Sequence, residues 1–239
     1  MMNLFFGTTN PGKLRELRRL VAGLPIRVVS PDDLGRPVPD VVEDGHTFEE
    51  NAAKKASAFA RFAVMHALAD DSGLCVDALG GEPGVRSARW SDDEPGPELA
   101  SPVCELPGPA AGELGPVAGR AARDERNNDK LLSALEDVPD ARRGAEYRAA
   151  LAVAAPDGRI VATAEGACRG RIGRARRGTG GFGYDPLFVP EGRELREGVA
   201  SVPPRTMAEL TAEEKDAISY RGEAFRRLRA VLASLAPTP

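Results

Sequence analysis

Two neighbouring carboxylates, Asp70 and Asp71, stand where an apolar segment runs into Ser72-Gly73. Carboxylates this close at the end of a strand can hold Mg²⁺ through hard oxygen ligands. One of them can instead act as a general base, with its pKa raised by its neighbour. A solvated Asp-Asp-Ser-Gly turn would use the same residues without either role. A second cluster, Thr8-Thr9-Asn10-Pro11-Gly12-Lys13, is expected between a strand and a helix. Exposed N–H groups and the positive end of the helix dipole favour an anion there, and Lys13 adds a point charge. The GxxxxGK[ST] phosphate-loop pattern is absent, and an ordinary turn capped by Asn10 fits the same residues. A third cluster runs from Glu43 through Phe48-Glu49-Glu50-Asn51 to Lys55. Asn51 and Lys55, four residues apart, share a helix face that either lines a cleft or faces water.

Further along, Gly178-Thr179-Gly180-Gly181-Phe182-Gly183-Tyr184-Asp185-Pro186 places four glycines within six residues. Glycines let backbone approach a ligand closely. Phe182 and Tyr184 offer a stacking face and Asp185 an acceptor, which is what a purine requires; a flexible hairpin is the plainer reading. Just upstream, Arg169, Arg171, Arg174, Arg176 and Arg177 form the dense basic run of the chain. Without interleaved aromatics it reads as a polyphosphate-facing rim or a solvated edge strand rather than a nucleic-acid surface. The last cluster, Glu213 to Gly222, is expected between two helical stretches, where it would bring Lys215 and Arg221 to a cleft.

The elements that must position these clusters follow from hydrophobic periodicity. Residues 3–6 read as a strand, Leu14, Leu17, Leu20 and Val21 as one helix face with Pro11 in its first turn, and 26–29 as a second strand. Thr47 and Glu50 form a capping-box pattern opening a long helix through Ala52, Ala56, Phe59, Ala60 and Ala63. Residues 67–70 lead into 71–81, a strand ending in a turn, and residues 126–136 form a helix with Leu131, Leu132 and Leu135 inward. Residues 147–172 read as two strands joined at Pro156-Asp157-Gly158, running on into a third short strand. Thr211 and Glu214 form another capping box, and Ala224, Phe225, Leu228, Val231, Leu232 and Leu235 mark a C-terminal amphipathic helix. Alternating strands and helices predict an α/β fold with a mixed sheet and helices packed on it.

The 239 residues carry 32 Lys+Arg and 36 Asp+Glu, a net charge of −4, with 42% hydrophobic residues. This is the composition of an ordinary folded domain, and it disfavours nucleic acid as the main partner. No apolar run approaches the roughly 20 residues that span a bilayer. The N-terminal MMNLFFGTTNPGK has neither a basic region nor a small-residue cleavage site, so a cytoplasmic protein is expected. Residues 1–239 read as one domain, interrupted at 92–120 by a Pro-, Gly- and acid-rich stretch without period, expected to be a flexible loop. Three cysteines and two histidines leave little material for a disulfide framework, a zinc site or a histidine-based triad. Only five of the 32 basic residues are lysines: Lys13, Lys54, Lys55, Lys130 and Lys215. In so arginine-rich a chain, a lysine points to a place where a compact ammonium is needed.

Taken in order, TTNPGKLRELRRL, EDGHTFEENAAKKA, ADDSGLCVDALGGEPGVRSARW, GTGGFGYDPLF and MAELTAEEKDAISYRG resemble the inosine triphosphate pyrophosphatase (Ham1/RdgB-like) family of non-standard purine nucleotide pyrophosphatases. The resemblance spans nearly the whole chain apart from 92–120. It implies an elongated mixed sheet with two lobes, a nucleotide cleft between them, and a homodimeric, Mg²⁺-dependent enzyme. The implied reaction converts ITP, dITP or XTP to the monophosphate and pyrophosphate. Thr8, Asn10 and Lys13 fall on the triphosphate loop. Glu43 and Asp71 fall on the metal site, with Asp71 also the base for the attacking water, and Lys55, Asp70 and Ser72 line the same cleft. Phe182, Gly183 and Asp185 fall on the base slot with Lys215, Tyr220 and Arg221. Lys13, Lys55 and Lys215 are three of the five lysines.

Two departures accompany the resemblance. The family motif Ser-His-Arg is here Ser219-Tyr220-Arg221, and a tyrosine cannot offer a positively charged donor at neutral pH, as a protonated histidine can. This bears on base preference rather than on hydrolysis. The 92–120 stretch is also longer than the family needs. The rival expectations are a nucleotide-binding protein without turnover, a Maf-like pyrophosphatase of different base preference, and a nucleic-acid accessory protein using the Arg169–Arg177 run.

Overall fold

The computed structural model describes residues 1–93, 116–191 and 204–236. The elements, in order, are β1 (Met2–Phe6), α1 (Pro11–Leu20), β2 (Ile26–Val29), the one-turn α2 (Pro31–Leu34), α3 (Phe48–Ala63) and β3 (His66–Val76). After a 3₁₀ segment over Gly84–Asp93 come α4 (Pro116–Ala134), β4 (Gly144–Ala154), β5 (Ile160–Ile172), β6 (Phe188–Pro190), α5 (Ala212–Ile218) and α6 (Tyr220–Leu235). The six strands form one mixed sheet in the order β2-β1-β3-β4-β5-β6. β1 runs parallel to β2 and β3, while β4, β5 and β6 continue antiparallel. The expected α/β fold with a mixed sheet is what forms.

Period-two alternation sorts the strand residues onto two faces. On one face Leu4, Phe6, Leu68, Leu151 and Val153 pack under Leu17 and Val21 of α1 and Phe225, Leu228 and Leu232 of α6. On the other, Phe5, Ala67, Ala69, Ala150 and Ala152 meet Ala52, Ala56 and Ala60 of α3. Because both sides of this interface are mostly alanine, the helix lies close to the sheet. Further along the long strands, Leu74, Val76, Tyr147 and Ile172 form a third apolar cluster with Trp90, Leu131, Leu135 and Phe188. β1 pairs with β3 only over His66–Leu68, so beyond Leu68 that edge of β3 is open towards the loop leaving β1. Ligands in open parallel sheets favour this place, outside the carboxyl end of a strand.

Several expected boundaries shift. Asp70 and Asp71 do not close a strand; β3 continues through them to Val76, because β4 pairs with it residue for residue from Ala67 to Val76. β5 is a single strand to Ile172 rather than two, since its 13 residues stay paired to β4 and then β6. α4 begins at Pro116, well before residue 126, and residues 92–93 belong to the 3₁₀ segment, so both ends of the expected 92–120 loop are structured. The middle of that stretch lies outside the described residues. The Thr47 capping box is half formed: its hydroxyl accepts from Glu50 N, but the Glu50 carboxylate accepts from His46 N at 2.7 Å. The Thr211 box is complete.

α3 ends at Val64 with φ 54°, a left-handed conformation that a β-branched residue adopts at a cost. Its side chain is exposed, so little packing offsets that strain. Val64→Gly is expected to stabilise the fold by roughly 1 kcal/mol, read as a rise in denaturant midpoint.

Candidate active site

The site is built around the period of β3. Adjacent strand residues point to opposite faces, so Asp70 emerges on the α1/α6 side and Asp71 on the α3 side. Each carboxylate meets its own cations. Lys13 Nζ lies 2.9 Å from Asp70 Oδ2, and Arg221 Nε donates to the same oxygen at 3.1 Å. Lys55 Nζ lies 2.9 Å from Asp71 Oδ1 and 3.1 Å from Glu43 Oε2. Asn51, one helical turn before Lys55, donates to Asp71 Oδ2 at 3.3 Å while its own carbonyl oxygen accepts from Gly45 N at 2.8 Å. The alanine-lined face of α3 sets it close enough for both side chains to reach β3.

Lys13 is placed by its loop. Thr8 Oγ1 accepts from Asn10 N at 3.1 Å, and Asn10 caps α1 by accepting from Gly12 N at 2.8 Å and Lys13 N at 3.3 Å. Pro11 fits the first helical position, where no N–H is needed. Gly12 is required because a Cβ there would come within 2.9 Å of the Phe182 ring. The glycine-rich segment is folded by Asp185, whose Oδ2 accepts from Phe182 N at 2.9 Å and from Lys215 Nζ. Gly181, at φ 77°, leaves room for that carboxylate, which a Cβ would strike. The Lys215 ammonium sits 4.7 Å from the Phe182 ring centroid. Ser72 Oγ donates to Asp70 Oδ2 at 3.4 Å and accepts from Arg221 Nη2 at 3.2 Å.

The electrostatics follow these contacts. Burial alone would raise the Asp70 carboxyl, but Lys13, Arg221 and Lys55 outweigh it and hold it well below the usual range. Burial lowers the Lys13 ammonium, with Asp70 only partly compensating. Burial, partly offset by Lys55 and reinforced by Glu43, pushes the Asp71 carboxyl up to about 6. For Glu43, burial is outweighed by the Lys55 ammonium, so it stays the more acidic of the two. Lys55 itself is buried, yet Asp71, Asp70 and Glu43 raise its pKa.

Two cavities meet at this cluster. One of about 360 Å³ is lined by Thr8, Thr9, Lys13, Glu43, Lys55 and Asp70. The other, of about 240 Å³, is lined by Asn10, Lys13, Ser72, Phe182, Gly183 and Tyr220 among others. Lys13 lines both. All of the expected site residues therefore converge on the cluster or its cavities, Lys215 and Asp185 from behind Phe182. Lys215 and Arg221 are not in a linker between helices: Lys215 is in α5, Arg221 opens α6, and Ser219 alone joins the two helices.

A family model described as the Ham1 family matches residues 4–106 and 103–231. The chain belongs to the Ham1 family. It is 70% identical over 235 residues to a dITP/XTP pyrophosphatase of Anaeromyxobacter sp. (strain Fw109-5), with 98% of both chains covered. A dITP/XTP pyrophosphatase of Streptomyces coelicolor is 44% identical over 239 residues, covering 98% of this chain and 99% of that one. Among solved structures, a HAM1 protein from Coxiella burnetii superposes with a TM-score of 0.71 at 33% identity, covering 98% of this chain and all of the other.

Within this Ham1-family chain, Tyr220 is buried and stacked on Tyr147, with ring centroids 4.8 Å apart. Its hydroxyl accepts from Arg221 Nη2 at 3.5 Å, and burial raises its pKa, so it remains a neutral phenol. Sequence reasoning missed Glu16, the buried partner of Arg221, which also accepts from Ser219 Oγ at 3.1 Å. On sequence alone Glu16 reads as one more polar residue of α1. It also missed Asp124, whose Oδ2 accepts from Gly183 N at 2.9 Å, and Asn128, which donates to Gly183 O at 2.9 Å. The four-residue spacing of Asp124 and Asn128 was the available signal. The arginine run does not rim the cleft. Arg169, Arg174 and Arg176 pair with Asp77, Asp140 and Asp129, and no member of the run lines either cavity above.

Proposed function

We propose that this cleft hydrolyses non-standard purine nucleoside triphosphates, dITP, XTP and ITP, to the monophosphate and pyrophosphate. The observation that carries the reading is the split of Asp70 and Asp71 onto two faces, with Lys13 and Arg221 on one and Lys55 and Glu43 on the other. Charge neutralisation and an oriented water are what phosphoryl transfer needs. Thr8, Asn10 and Lys13 bind the phosphate chain, with Lys13 neutralising its charge and Asp70 holding the ammonium in line. Asp71 accepts the proton of the attacking water, its carboxylate fixed by Lys55 at Oδ1 and Asn51 at Oδ2. Phe182, Gly183, Asp185 and Lys215 form the base slot, and Tyr220 and Arg221 supply donors for a purine 6-oxo group. A 6-amino group would leave those donors unpaired, which disfavours adenine.

The donor set suits Mg²⁺. Among the described residues no group of three or more His, Cys, Asp or Glu side chains is arranged to hold a metal alone. Two hard carboxylates, Glu43 and Asp71, do share one ammonium, that of Lys55. Mg²⁺ is commonly held by one or two carboxylates together with substrate phosphates. Bound there, the ion would offset the negative charge of the phosphate oxygens. Among the described residues no helix is long and apolar enough to cross a membrane. A nucleotide-pool enzyme working in the cytoplasm as a homodimer is the setting we propose, with purine nucleotides rather than nucleic acid as its partners.

Pyrophosphate release from dITP, XTP, ITP, GTP and ATP, with Mg²⁺ and with excess chelator, tests the reading. Metal-dependent release from the first three, with little from GTP and ATP, is expected. Release equal across the panel, or none from any of them, overturns it. Tyr220→His introduces a side chain that can carry a protonated donor, and should raise the dITP-to-dATP ratio of kcat/KM by roughly tenfold. An unchanged ratio would put Tyr220 outside the base slot.

A further inference from the structure

Arg120 lies in α4, near its start, and α4 belongs to the far wall of the cleft from the phosphate loop. Its guanidinium nevertheless crosses to that loop, where Nη2 donates to Thr9 Oγ1 at 3.0 Å. It also lines the cavity that holds Phe182 and Lys13, while Thr9 lines the neighbouring cavity of Glu43, Lys55 and Asp70. Arg120 therefore stands at the boundary of the two cavities. It is half-buried; among the described residues no carboxylate lies within ion-pair distance of it, and Asp124, one turn further on, feels its charge from beyond that distance. One neutral hydroxyl uses a small part of a five-donor fork that is shaped to take phosphate or carboxylate oxygens. Arg123, one turn further on, lines the same cavity but differs in its partner: it points to Asp92, 3.8 Å away.

We propose that Arg120 is a further substrate-binding residue, taking the phosphate nearest the nucleoside from the side opposite Lys13. This rests on the proposed function, and it adds a cation from α4 that joins the two sides of the cleft when the nucleotide is bound. Nucleoside in one cavity and the outer phosphates in the other would leave the innermost phosphate at the boundary where Arg120 and Lys13 meet. In the free protein Thr9 holds the guanidinium at that boundary.

The test is equilibrium binding of dIMP, deoxyinosine and pyrophosphate to wild-type protein, Arg120→Gln, Arg120→Lys and Arg123→Gln, with dITP hydrolysis measured alongside. Loss of one charge-assisted contact should weaken dIMP in Arg120→Gln by roughly 10–100-fold and raise KM for dITP in step. Deoxyinosine and pyrophosphate should bind as to wild type. Arg120→Lys should recover part of the loss, and the charge-matched Arg123→Gln should lose far less. Unchanged dIMP binding in Arg120→Gln would reduce Arg120 to a tether for Thr9 and overturn the proposal. So would a loss as large in Arg123→Gln, which would mean a diffuse field, or an equal loss for pyrophosphate, which would move the contact to the outer phosphates. A wild type that hydrolyses dITP while Arg120→Gln is unaffected fails this inference alone. A wild type that neither binds dIMP nor hydrolyses dITP overturns the activity reading and this inference with it.

Discussion

Asp71→Asn is expected to keep nucleotide affinity and lose turnover by about 10²–10⁴-fold, the range for removing a positioned general base. The substitution keeps the shape of the side chain and one carbonyl oxygen for Lys55, so the ammonium 2.9 Å away still has a partner. What it removes is the capacity to accept a proton and one of the two negative charges that Lys55 bridges. Folding should change little, because burial already pushes this carboxyl up to about 6 and a neutral amide is at home in the same place. The measurement is kcat for pyrophosphate release from dITP beside a binding constant for the same nucleotide. Turnover within tenfold of wild type would remove Asp71 from the role of base. A matching loss of affinity would instead make it chiefly a binding group.

Glu16→Ala is expected to be the most damaging substitution for stability. Arg221 is 2% exposed and Glu16 is 3% exposed, and they pair directly inside the protein. Burial opposes the charged guanidinium, and Glu16 is the leading group that keeps it charged, with the Asp70 carboxylate adding to it. Removing one partner of a buried pair strands the other charge and costs about 3–5 kcal/mol. Ser219 also loses the acceptor for its hydroxyl, just where α6 starts. In a domain of this size the loss should lower Tm by roughly 6–20 °C. Glu16→Gln, which keeps the shape and an acceptor, should cost less. A Glu16→Ala protein that melts within 2–3 °C of wild type, by the same scaling, would show that Asp70 alone suffices for Arg221. The consequence would reach function too, since Arg221 left to Asp70 competes with Lys13 for the same oxygen.

Much of this was written in local patterns. The capped turn from Asn10 into α1, the alanine face of α3 and the C-terminal amphipathic helix are short-range features, and a chain read residue by residue shows them. The site residues were also readable by type, because lysine is rare in this chain and adjacent carboxylates are conspicuous. The resemblance then supplied the order in which the clusters belong together.

What one dimension could not show was direction. Asp70 and Asp71 read as a pair sharing a turn, yet strand pairing with β4 carries β3 through them and turns them to opposite faces. Each then takes its own cations from helices that lie on different sides of the sheet. Glu16 and Asp124 escaped for a related reason: their partners, Arg221 and Gly183, are 205 and 59 residues away, and nothing local marks such a contact. The arginine run misled in the other direction, since its density in sequence says nothing about the acids that α4 and the neighbouring turns set against it. By itself, then, the sequence determined most of the helices and strands, which residue types are available for chemistry, and the family. The tertiary structure alone decided which face each carboxylate serves and which charge neutralises which, because pairing across the sheet and helix packing on it are long-range facts.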